Sequence, residues 1–125
     1  MLDTEAVAQS ALSRWQIVGE SASISSWDRI GDAIGSHFCT GGVISEAVVV
    51  SSTNVIECVV SEFPDWELVR HDVMGVIELG WSVTVLIPLG SMGSAHETLR
   101  GSAAFLQGWW VRKDNELGFT RQEIA

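Results

Sequence analysis

The chain has 125 residues, 46% of them apolar and 18% charged, with sixteen Asp and Glu against seven Lys and Arg and a formal charge of −9. A chain of this length fits one domain, buries about two-thirds of its unfolded surface and so is not wholly disordered. The pI of about 4.5 excludes nucleic acid as a primary partner, because phosphate binding needs a stripe of Lys and Arg that releases counterions.

In chain order, Val7, Ala11, Leu12, Trp15 and Val18 recur at three and four between Asp3 and Val18. This spacing predicts an amphipathic helix capped by Asp3 or Thr4, one face of which must dock. Gly19–Ser25 is small and polar and reads as a linker. Ser26 then caps a second helix with Trp27, Ile30, Ile34 and Phe38 on one stripe, stopped by Gly41 and Gly42. Gly31 and Gly35 lie one turn apart on it.

After Gly42 the texture turns β-branched. Val43, Ile44 and Val48–Val50 predict a strand ending at Ser51-Ser52-Thr53-Asn54. Asn54 and Glu57 have capping spacing, so Val55, Ile56, Val59, Val60 and Phe63 are expected on a helix closed by Pro64. Trp66–Val73 reads as a strand that Val76–Leu79 extends or pairs with, and Gly80 turns the chain into the clearest strand, Trp81–Leu89. There Trp81, Val83, Val85 and Ile87 share one face and Ser82, Thr84, Leu86 and Pro88 the other. Gly90–Ser94 is a loop, and Ser94 with Glu97 caps a short helix carrying Ala95, Leu99, Ala103 and Leu106 or Phe105. Gln107–Lys113 and Glu116–Arg121 flank Asp114-Asn115 and form a closing hairpin.

Assembled, residues 1–42 are expected to be a helical arm packed on an α+β domain at 43–125, one compact unit overall. The domain reads β-α-β-β-α-β with one extra strand, the ferredoxin-like plan, whose antiparallel sheet carries its helices on one face and leaves the other open. The alternative built from similar elements is a cone-like curved sheet around a helical lid. Acid at Asp3 and Glu5 stands where a secretory or transit signal carries Lys or Arg. The uncharged stretch Leu79–Ala95 holds three glycines, three serines and Pro88, which argues against a membrane span. The cytoplasm is therefore the expected location, with Cys39 and Cys58 reduced.

His37, Cys39, Cys58, His71 and His96 are conceivable zinc ligands, yet only His37 and Cys39 form a close pair, so neither metal nor cofactor is expected. Cys39 falls at a helix C-terminus, where the dipole raises a thiol pKa and disfavours a nucleophile. The Gly90–Ser94 loop lacks the lysine and glycine spacing of a phosphate loop. The six tryptophans with no tyrosine stand out. Adjacent strand residues point to opposite faces, so one of Trp109 and Trp110 faces away from the core. Trp110 and Arg112, with Thr84 and Leu86, are the candidate ligand or partner surface on the open sheet face, and His71 and His96 are further candidate binding groups.

Three functions from different classes fit. The first is a non-catalytic binding module, a small-ligand sensor or protein adaptor, using the open sheet face for a small apolar or amphipathic ligand or for a second copy in a homodimer. The second is a cofactor-free acid–base enzyme with His71, His96, Glu57 or Glu97 converging in an apolar pocket. The third is an acidic inhibitor or immunity-type protein for a basic partner, since residues through Glu97 carry thirteen acids and three bases. The lack of any catalytic motif favours the first.

Overall fold

The N-terminal stripe forms helix α1 (Thr4–Ile17) in the computed structural model, which describes residues 4–35, 44–61 and 64–125. The expected linker contains a short edge strand, β1 (Ser23–Ser26), which runs straight into α2 (Trp27–Ile34). Ser26 caps α2 by accepting from the Arg29 N–H, and Gly35 closes it at φ +74°, a left-handed conformation that glycine adopts without a Cβ clash. His37, Phe38, Cys39, Gly41, Gly42, Val43 and Phe63, all part of the expectations above, lie outside the described residues.

Strand β2 (Ile44–Val50) turns through Ser51–Asn54 into β3 (Val55–Val60), where a helix was expected. Four of the six β3 residues are β-branched, which favours the strand. Its neighbours are β2, antiparallel, and β4 (Ser82–Pro88), parallel. A strand flanked on both sides and covered on both faces is apolar throughout and loses the alternation that tells it from a helix. Asn54 is not an N-cap; it takes φ +54° in the turn, a conformation that Asn tolerates better than most residues.

The segment expected as a strand from Trp66 is instead helix α3 (Trp66–Glu78). Pro64 precedes the helix rather than ending one, and Asp65 is its N-cap, accepting from the N–H groups of Glu67 and Leu68 at 3.1 and 3.4 Å. Val69, Asp72, Val73 and Val76 form its buried stripe. After β4 and a single 3-10 turn comes α4 (Met92–Leu99), which begins before the expected Ser94 cap. Arg70 of α3 donates to the carbonyls of Thr98 and Arg100 at 2.9 and 3.0 Å and so covers the end of α4. Strands β5 (Phe105–Val111) and β6 (Leu117–Phe119) form the expected hairpin, with Asp114 accepting from the Glu116 N–H and Asn115 at φ +64°. A two-residue strand, β7 (Glu123–Ile124), also pairs with β5.

The architecture is mixed α+β with an open seven-stranded sheet in the order β1-β2-β3-β4-β5-β6, β7 lying off this path on β5. From Ile44 the chain runs β-β-α-β-α-β-β-β, so the ferredoxin-like order does not hold. The sheet is not wholly antiparallel either: β3, β4 and β5 are parallel, linked by α3 and α4 as crossovers. Both corrections come from the exchange of helix and strand on either side of Pro64. Helices α2, α3 and α4 pack on one face around Ile56, Cys58, Val73, Val83, Val85 and Leu106. Helix α1 packs on the other face, against Val48, Val50, Val59 and Leu86, through Val7, Ala8 and Ala11. The two N-terminal helices are thus separated by a strand and take opposite faces, and neither face is the open one expected. Helices on both faces of an open-ended sheet also differ from a cone closed by a helical lid. Among the described residues no helix is long and apolar enough to cross a membrane.

Gly118 of β6 lies directly opposite Trp110 of β5, and a Cβ there would come within 2.5 Å of the indole. The ring occupies the space the glycine leaves, a cross-strand use of aromatic surface on a strand glycine. Gly118→Val is expected to cost about 1–3 kcal/mol in chemical denaturation and to shift tryptophan emission to the red as the ring is pushed into water.

Candidate functional site

Helix periodicity sets the first wall. Val7, Ala8 and Ala11 bury one face of α1, and Trp15, four residues past Ala11, continues that face. The small residues bring the helix close to the sheet, and the indole reaches its surface. There it meets Glu57. Ile56 and Cys58 point toward α2–α4, so strand alternation sends Glu57 to the α1 side, beside Thr84 in the register of β3 with β4.

Glu57 is only 4% exposed. Trp15 Nε1 donates to Glu57 Oε1 at 2.7 Å, and among the described residues no second donor reaches the carboxylate. Burial pushes the Glu57 carboxyl above its ordinary value of 4.5, opposed by the indole hydrogen bond and by the positive charge of Arg14. Arg14 forms no ion pair with it; its guanidinium lies over the Phe119 ring, 4.3 Å from the centroid. A cavity of about 370 Å³ opens between the end of α1 and the sheet, lined by Arg14, Trp15, Ile17, Val18 and Glu57. Ile17 and Val18 are 84% and 68% exposed, so the rim is apolar and wet while the one acid lies at its base.

The C-terminal segment closes the neighbouring ground. Gln122 donates to the buried Thr84 hydroxyl, Gln107 donates to the Thr120 carbonyl at 2.7 Å, and the Thr120 hydroxyl accepts from the Gly108 N–H at 2.9 Å. Thr84, Gln107 and Thr120 are thereby paired within the protein. Among the described residues of this face, the buried Trp109 Nε1 and the second oxygen of Glu57 are not.

The residues singled out from the sequence do not form one surface. Thr84 and Leu86 are buried on the α1 face. Trp110, 39% exposed, lies on the opposite face of β5 with Gly108, and Arg112 is exposed beyond the end of the strand, 3.9 Å from Asp114. His71 is exposed on α3 with its Nδ1 3.0 Å from Asp72 Oδ1, while the buried Asp72 also accepts from Trp27 Nε1 at 3.1 Å. His96 of α4 contacts Glu123 at 3.1 Å. The four acid–base candidates therefore do not converge: Glu57 is on the α1 face, and His71, His96 and Glu97 are on the helices of the other. Among the described residues no group of three His, Cys, Asp or Glu is placed to hold a metal ion. Cys58 is buried, and burial pushes its thiol well above the usual range.

Other hollows are less specific. One of about 310 Å³ lies between α2 and the sheet near Arg29, Ile34 and Trp81, and one of about 390 Å³ lies between α1 and the β5–β6 turn. Neither has a buried side chain with a spare polar atom in its lining. Set against protein-family models, curated proteins and solved structures, the chain matches none.

Glu57 lies in a run, Val-Ile-Glu-Cys-Val-Val, where one acid interrupts five apolar residues. That interruption is the signal for the site. As a helix cap it looked ordinary; as the one charged position of a central strand it demands a partner. Trp15→Phe removes the indole donor and is expected to cost about 1–3 kcal/mol of stability. A carboxyl whose pKa is raised on folding stabilises the native state below 4.5, and this contribution is lost as pH rises through the folded value. Glu57→Gln keeps an acceptor for Trp15 without the charge, so in urea unfolding it should gain on the wild type from pH 4.5 upward and level off once Glu57 is ionised.

Proposed function

We propose that this chain is a small-ligand-binding module whose site is the cleft between α1 and β3, with no chemistry of its own. The carrying observation is Glu57: a buried carboxylate, held by a single indole, that presents an oxygen without a protein partner to a cavity with apolar walls. Pockets that take small molecules combine mostly apolar walls with a few placed polar groups, over roughly 300–1,000 Å³. The separation of Glu57 from both histidines supports binding over acid–base catalysis, which needs such groups within hydrogen-bond reach of one substrate.

The test is a fragment screen by thermal shift and native mass spectrometry on the wild type and on Ile17→Lys. Ile17 is exposed, so its replacement should change stability by no more than about 0.5 kcal/mol while placing a positive charge at the mouth of the cleft. Ligands of this site should raise the melting temperature of the wild type and lose at least tenfold in affinity with Ile17→Lys. Hits that bind both proteins equally, all of them elsewhere, would reject the cleft as the site.

A further inference from the structure

We infer that the cleft selects a primary ammonium group carried on a short apolar stem. This rests on the cleft being the binding site, and it names the ligand class from the groups that line it. Once ionised, Glu57 supplies acceptor capacity only, so the ligand must bring the donor. A neutral alcohol or amide would leave that charge offset only by the Trp15 hydrogen bond and the field of Arg14, whereas an ammonium neutralises it through a charge-assisted hydrogen bond. Arg14 does not already do this, because its guanidinium is held over Phe119 at the rim.

A guanidinium is the less suitable cation. It recognises a carboxylate through two parallel hydrogen bonds, one to each oxygen, and Oε1 is already taken by Trp15 Nε1 at 2.7 Å. One free oxygen suits a compact point charge. A metal ion is less suitable still, since a single carboxylate oxygen is far short of the ligand sets that metals require. The stem is accommodated by the apolar walls: Trp15 beside the acid, then Ile17 and Val18, whose exposed surface a ligand would cover. The overall charge of −9 adds a field that draws cations toward the protein.

The experiment is calorimetric titration of the folded protein with three probes that share a stem: 2-phenylethylamine, 2-phenylethanol and phenethylguanidine, with 3-phenylpropionate as the anionic control. The amine should bind at least tenfold tighter than each of the others, and Glu57→Gln should abolish that preference. Affinity for the amine should rise with pH as Glu57 ionises. Arg14 on α1 is the charged group facing Glu57, and Thr84 and Val48, its neighbours on β4 and β2, do not titrate. If the alcohol, the guanidine or the carboxylate wins and its binding is sensitive to Ile17→Lys, the ammonium assignment is overturned and the cleft stands as a site. Should no probe of any class show binding sensitive to Ile17→Lys, the ammonium assignment fails, and a fragment screen equally blind to that substitution removes the binding site with it. The ranking of the four probes is read on the wild type and so does not depend on Glu57→Gln folding.

Discussion

A central strand covered on both faces has no water to offer an ionised side chain, and β3 carries one at Glu57. The acid needs a donor from whatever covers that face, and the donor comes from Trp15 at the far end of α1. The helix is therefore held to the sheet at two points of different kinds. Its first turns pack through Val7, Ala8 and Ala11, and its last turns are held at the edge of the cleft by the Trp15–Glu57 hydrogen bond and by Arg14 on the Phe119 ring. The cavity exists because the helix surface changes from small to large where the strand surface changes from apolar to charged.

How much of this was legible in the chain depended on periodicity. Helices α1 and α2 show a clear apolar stripe and a polar cap, β4 alternates cleanly, and the closing hairpin carries Asp114-Asn115, so each lies close to its expected place. The stretch on either side of Pro64 is different. Val55–Val60 is apolar on both faces, which erases the period of two, and Trp66–Glu78 places Asp72 and His71 in the middle of its pattern, which weakens the period of 3.6. Asn54 and Asp65 are both residues that cap helices and both residues that make turns. Only the sheet, by burying β3 between two neighbours, decides which does which.

The same exchange hid the site. With Val55–Val60 as a helix, Glu57 had a cap to satisfy and asked for nothing more. As a strand residue it points at α1, which the sequence placed in an arm. The docking face of α1 was visible in the stripe, but its target was not, since an apolar stripe specifies that something is covered without saying what. The tryptophans divide along the same line: Trp15 and Trp27 were read as packing, and each in fact spends its N–H on a buried carboxylate, Glu57 or Asp72, from opposite faces of the sheet.

The two faces are unequal in depth. Among the described residues, seven buried apolar side chains lie on the α1 side and seventeen on the side of the other three helices. Native proteins open in cooperative units whose cost follows the surface each one buries. Helix α1 is the helix of the smaller side, so its departure would uncover the smaller core and leave the sheet ladder and the larger core intact. Excursions of this one helix, on the microsecond-to-second scale of local opening, would widen the cleft beneath Trp15 while the rest of the molecule stays folded.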